Sequence, residues 1–403
     1  MKINLLYYSL YDFANSAFVT IIITFIFSNY FVNSVAQNII EGQAYWGWTI
    51  SLSGFLVAIT GPFLGIIADK KNINPFILKI STYACIVFTS LLWFSKPEAK
   101  YIFLTLFIIC AANYFYELSS IFYNSLLINT SNKKKLGFAS GFSFALGYLG
   151  GIISLLITIN FIIESDYLKN LGEGLSFRGS AIFVSIWFLI FSLPLIFSVK
   201  IMGGIKRKKN LNLKKILWDS GLTKISKFLI ARLFYGDGLN TIFVMGGIFA
   251  VSIFSLNLKE LLLMSILMNV SAMIGAWLGG YFNDKFSCKS TILISLIFLI
   301  LLSILIILSK IKLYFFIFTT LLGFFIGQIQ SASRVMISKL IRHEDQNKAF
   351  GLFTTSGKLT SFFGPALVGS TTLIFENQRI GFSMVLILLI LGFIILYKTK
   401  DLK

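Results

Sequence analysis

Apolar residues in this chain come in blocks about 20 residues long, the length of α-helix that crosses the hydrocarbon core of a bilayer, and they recur from one end of the sequence to the other. No water is present at that depth to satisfy exposed backbone groups, so a chain built this way must fold as spanning helices. Hydropathy predicts twelve spans, near 10–32, 45–68, 76–95, 101–127, 137–162, 180–200, 225–252, 258–283, 290–309, 312–338, 349–374 and 379–397. Composition fits this reading: 57% of residues are hydrophobic and 13% charged, with a mean hydropathy of +0.85. A soluble chain carries about 25% charged residues. The expected fold is all-α, a polytopic membrane protein. Its longest connection, the basic stretch 201–224, separates a six-span bundle at 1–200 from a second at 225–403.

The net charge of +19 would point to nucleic acid in a soluble protein. Here it reads as topology, because cytoplasmic loops are enriched in Lys and Arg, and no nucleic-acid partner is expected. Bases cluster on alternate loops: Lys70 and Lys71, Lys133 to Lys135, seven between Lys206 and Lys224, then Lys285, Lys289, Lys339, Arg342, Lys348 and Lys398. The intervening loops carry fewer. This alternation requires an even number of spans and predicts both termini in the cytoplasm; the location expected, a bacterial inner membrane, rests on the resemblance given below. The linker lysines offer contact with anionic lipid. Cleavage at the signal-peptidase-like Ser34-Val35-Ala36 is not expected, since the basic region before it is weak. Cys85, Cys110 and Cys288 show neither a disulfide framework nor metal-ligand spacing. The one histidine, His343, lies in a charged loop, and no phosphate-cradling loop is present. No enzyme activity, cofactor or metal is expected.

Charge at the centre of a bilayer is unfavourable by about 2.5–3.5 kcal/mol on insertion scales and is rarely left facing lipid. Six charged side chains nevertheless fall inside the predicted spans: Asp12, Glu117, Arg232, Asp237, Arg334 and Lys358. The first half supplies only acids, the second all three bases, so pairs that bridge the halves are expected. Helical spacing groups polar residues around these charges. Asn113, Glu117 and Asn124 share a stripe, Gln330 lies four residues before Arg334, Asn15 follows Asp12, and Asn240 follows Asp237. Arg232 and Asp237, five apart, are poorly placed to pair on one helix. Gly236 and Gly238 flank Asp237 and predict a helix that loosens or packs closely there. The run Gly137, Ser140, Gly141, Gly147, Gly150 and Gly151 reads as close helix packing rather than chemistry. A single buried Ser or Asn is interhelical glue; a stripe with a charge at its centre reads as a hydrophilic pathway.

One motif occurs twice. Gly65-x-x-x-Asp69-Lys70 ends the second span, and Gly280-x-x-x-Asp284-Lys285 ends the eighth, with Lys289 close behind. Internal repeats of this kind build many secondary transporters. Either aspartate is placed to cap the N-terminus of a neighbouring helix and latch the cytoplasmic side; the plainer alternative is a turn that sets topology.

Twelve spans, a basic central loop and this doubled motif resemble the major facilitator superfamily. More narrowly, YDFANSAF at 11–18, IFYNSLL at 121–127, GFASGFSFALGYLGG at 137–151, FLIARLFYGDGLNTIF at 228–243 and SGKLTSFFGPALVG at 356–369 resemble the vacuole-effluxer, autophagy-related amino-acid exporter branch and its bacterial relatives. The resemblance implies two pseudo-repeated six-helix bundles and a transport role. The first motif departs from the superfamily pattern at Lys71-Asn72, and the second at Ser287, which implies a weaker latch on the first side. The expectation is a secondary active transporter of a small polar solute such as a zwitterion, coupled to protons or another ion. A receptor or scaffold with the same fold, and an exporter of amphipathic compounds, are the alternatives.

Overall fold

The computed structural model describes residues 3–170, 172, 174–199, 213–219 and 221–399. Of the linker expected at 201–224, residues 201–212 and 220 lie outside the described residues. The first half contains α1 (Leu5–Val35), α2 (Ile39–Lys71), α3 (Asn74–Leu91), α4 (Ile102–Ser125), α5 (Leu136–Ile157) and α6 (Leu175–Ser198). The second contains α7 (Lys224–Phe254), α8 (Leu258–Lys285), α9 (Cys288–Leu308), α10 (Lys312–Leu340), α11a (Gln346–Lys358), α11b (Phe363–Phe375) and α12 (Gln378–Lys398). The fold is that of a polytopic helical membrane protein.

Helix starts follow the local sequence. Asn4, Asn38, Thr223, Ser287 and Asn377 each accept a backbone N–H of the first turn of their helix, and Asn257 and Glu260 form a reciprocal capping box. These bonds satisfy donors that a helix cannot satisfy itself. Between the caps, apolar side chains face either neighbouring helices or the bundle exterior.

Among the described residues, eleven helices are long and apolar enough to cross a bilayer. The predicted span 349–374 is not one continuous helix but two, α11a and α11b, and Pro365 explains the break. It has no N–H to offer the carbonyl of Ser361, four residues back. Ser361 instead accepts the side-chain amide of Asn240 at 2.8 Å. The chain turns tightly at this point, with the Phe363 N–H on the Thr360 carbonyl at 2.8 Å. Opposite the break, α7 runs unbroken past Gly236 and Gly238. Gly238 marks close packing instead: a Cβ there would stand 3.0 Å from Leu389 of α12.

The halves meet along two helix pairs, α5 with α8 and α2 with α11a. Glycines make both approaches possible. A Cβ on Gly141 would lie 2.8 Å from the Cα of Gly280, and one on Gly65 would lie 2.6 Å from the carbonyl oxygen of Asn347. Further along α2, Gly351 lies against the backbone of Gly61 and Pro62. Whereas α11a packs on α2 and α4 of the other half, α11b packs on α7 and α12 of its own. The end carrying Asp69 and Asp284 is thus where backbone meets backbone across the halves; we call it the latch end.

Gly141→Leu is expected to force the α5–α8 pair apart and lower stability by about 1–3 kcal/mol, the range for overpacking a tight contact. Thermal unfolding of the purified variant measures this, and an unchanged midpoint counts against backbone contact as the seam.

Candidate functional site

Arg334 lies at the centre of the interface between the halves. Its helix, α10, carries it to a point where α1, α4 and α5 converge. Nη1 donates to Asp12 Oδ2 of α1 at 3.0 Å and to Asn124 Oδ1 of α4 at 3.1 Å. Nε donates to Ser140 Oγ of α5 at 2.9 Å, and Nη2 to the Ser140 carbonyl at 2.8 Å. The guanidinium also lies 4.0 Å from the ring centroid of Phe144. Asp12 gains a second donor, Ser143 Oγ at 2.6 Å. A planar fork with several fixed donors suits this role better than a lysine. Removing charges from water is costly, and only a well-bonded pair offsets it; here bonds surround both partners. One turn earlier on α10, Gln330 accepts from Tyr148 of α5 at 2.8 Å.

Glu117 of α4 and Lys358 at the end of α11a form the second cross-half ion pair, at 2.6 Å. This pair differs from the first in accessibility. The difference lies in the basic partner: the Lys358 side chain is 29% exposed against 2% for Arg334, while the acids are similar, 17% for Glu117 and 13% for Asp12. Solvent or solute can therefore reach Lys358 and Glu117, whereas Arg334 is sealed.

The two repeated motifs engage opposite helices. Asp284 accepts the N–H groups of Gly137 and Phe138, both at 2.7 Å, at the start of α5. Asp69 accepts the N–H of Asn347 at 3.3 Å and of Lys348 at 3.0 Å at the start of α11a, plus the Asn347 side-chain amide at 2.8 Å. Each carboxylate sits at the positive end of a helix dipole in the other half. Asn347 Oδ1 in turn accepts from Asn74 and Ser125, both at 2.6 Å, and Lys348 pairs with Asp345 in a fully buried contact. Lys70 and Lys285 are exposed. Lys289 lies away from the latch, donating to the carbonyls of Tyr397 and Thr399 at the end of α12.

The charges of α7 brace the break in the eleventh span. Arg232 donates to the carbonyl of Phe353 at 2.6 Å and to Ser356 Oγ at 2.9 Å, both in α11a, and its guanidinium lies 3.4 Å from the Phe353 ring centroid. Asp237 Oδ2 accepts the N–H of Gly364 at the start of α11b at 2.9 Å. Arg232 and Asp237 thus hold successive pieces of one interrupted helix. Asn113 donates to Ser53 of α2 at 2.6 Å, inside the first half, and Asn15 is buried on α1.

Three participants escape a reading of the sequence alone. Ser140, which the spacing of small residues groups with the packing glycines, is an Arg334 partner. Ser143 and Asn347 likewise carry bonds that only assembly of the helices reveals. The signal for the break was present in Pro365.

A profile described as vacuole effluxer Atg22 like matches residues 129–401. The chain is 26% identical over 400 residues to an uncharacterized MFS-type transporter, YxiO, of Bacillus subtilis, covering 96% of this chain and 92% of that one. Autophagy-related protein 22 of Cryptococcus neoformans is 23% identical over 296 residues, 66% of this chain and 52% of that protein. Among solved structures, the proton:xylose symporter XylE superposes with a TM-score of 0.78 at 12% identity, covering 98% of this chain and 94% of that one. FucP in its outward conformation gives 0.75 at 13% identity, covering 98% of each chain. These likenesses establish the major facilitator fold.

Asp12→Asn leaves the Arg334 guanidinium buried without a counter-charge and is expected to lower stability by about 3–5 kcal/mol. Arg334→Gln should do the same, and the double variant less than the sum; a double-mutant unfolding cycle measures the coupling. Asp284→Asn should weaken the joint between α8 and the start of α5 by about 1.5–3 kcal/mol, the worth of hydrogen bonds to a charged group. Spin-label distances between α5 and α8 read the outcome.

Proposed function

The chain belongs to the vacuole effluxer Atg22 like family, and from that premise we propose a secondary active transporter that moves a small zwitterion, an amino acid or a close analogue, by alternating access. The observation that carries this reading is the Glu117–Lys358 pair, 2.6 Å apart, joining the two halves while partly open to solvent. A zwitterion offers a carboxylate to Lys358 and an ammonium to Glu117. By satisfying both it replaces the bond that ties α4 to α11a, so its arrival is linked to a change in how the halves meet. Discontinuous helices beside such sites are a recurring transporter device, and Lys358 stands immediately before the break.

The latch end faces the cytoplasm in this proposal, as the basic loops argue, with both termini on that side of a bacterial inner membrane. The structure is then closed inward. Cross-half bonds run from the latches up to Tyr148 and Lys358, while α11b packs on its own half. Domains at 1–200 and 225–403 move against each other about Arg334, with 201–224 tethering them. Coupling to a proton gradient supplies the energy. The family's description as effluxers supports export as the direction.

Purified protein screened against free amino acids by thermal shift should show binders that raise apparent stability by mass action. In proteoliposomes, Glu117→Gln or Lys358→Gln should slow flux of the binder about 10–100-fold, from loss of roughly 1.5–3 kcal/mol of charged hydrogen bonding. Flux unaffected by both substitutions removes this pair from the site.

A further inference from the structure

We infer that Asp237 is the proton-binding group of this transporter and that it works by releasing α11b; the inference rests on the transport reading above. The carboxyl is buried, 1% exposed. Its Oδ2 caps the start of α11b through Gly364, but its Oδ1 is also buried and has no hydrogen-bond partner. A buried charge with one oxygen unbonded is poorly compensated, and a proton on Oδ1 removes the charge while leaving Oδ2 in place. Thr241 Oγ1 and Asp237 Oδ1 both lie against Gly364, close enough that a Cβ on that glycine would meet them.

Charged groups on the helices around Asp237 are committed elsewhere. Arg232 of the same helix holds Phe353 and Ser356. On α11a, Lys358 pairs with Glu117, and on α10, Arg334 pairs with Asp12. Tyr235 bonds to Ser333 of α10. Neither α11b nor the stretch of α12 beside Gly238, at Leu388 and Leu389, presents an ionisable side chain. No counter-cation therefore competes for the Asp237 carboxylate among these groups.

Protonation converts the bond from Gly364 from charge-assisted to neutral, roughly halving its strength, and ends the favourable contact of a negative charge with the α11b dipole. What then holds the break is Asn240 on Ser361 and the grip of Arg232 on α11a. Lys358 is the last residue of α11a, so loosening α11b is passed to the Glu117 pair through the short turn 359–362.

Hydrogen–deuterium exchange on the full chain in nanodiscs tests this without any solute. Peptides covering 360–368 should lose protection several-fold, after correction for intrinsic rate, between about pH 8 and about pH 5. Asp237→Asn should abolish that pH response, and Asp237→Glu, which keeps a titratable carboxyl, should retain it. A flat wild-type profile overturns the proposal, as does an unchanged response in a folded Asp237→Asn protein or a response to sodium at fixed pH. Failure of the amino-acid flux with this response intact would instead strike the substrate reading alone.

Discussion

The interior of this bundle is organised by one buried ion pair, Arg334 with Asp12. Neither charge would be tolerated alone in an apolar interior, and the two come from opposite halves of the chain. Their union obliges α1, α4, α5 and α10 to meet at one place. The hydroxyls of Ser140 and Ser143 and the amide of Asn124 complete the shell. The six-helix halves are thereby held in register by a polar contact that apolar packing, which is indifferent to exact partners, does not specify.

The remaining cross-half contacts are graded around that centre. Toward the latch end the halves are joined by carboxylates on helix starts and by glycine backbones in contact. Away from it, the partly exposed Glu117–Lys358 pair is followed by a segment, α11b, that keeps to its own half. The bonds between the halves are thus concentrated at one end, and the interrupted helix lies at their boundary.

Much of this was legible in the sequence, for identifiable reasons. Spanning helices announce themselves because the bilayer core excludes unsatisfied backbone, so block length alone reports them. The Gly-x-x-x-Asp repeat marks close approach and a capping carboxylate at fixed spacing, both local properties. The acid-only first half and base-rich second half indicated cross-half pairing. Which acid meets which base was not legible, since that depends on helix rotation and tilt. Nor was the role of Ser140, whose spacing is identical to that of the packing glycines. The break at Pro365 is hidden for another reason: hydropathy averages over a window and passes smoothly through a proline that interrupts the hydrogen-bond ladder.

In the transport cycle proposed above, the glycine seams would part and rejoin. Surfaces made of bare main chain carry few rotamers to freeze on contact or to re-sort on parting, and glycine has no side-chain entropy to lose. Joining and separating Gly61 from Gly351, or Gly141 from Gly280, thus leaves little hysteresis behind. Under the alternating-access cycle proposed above, such faces part and fit again without side chains to rearrange.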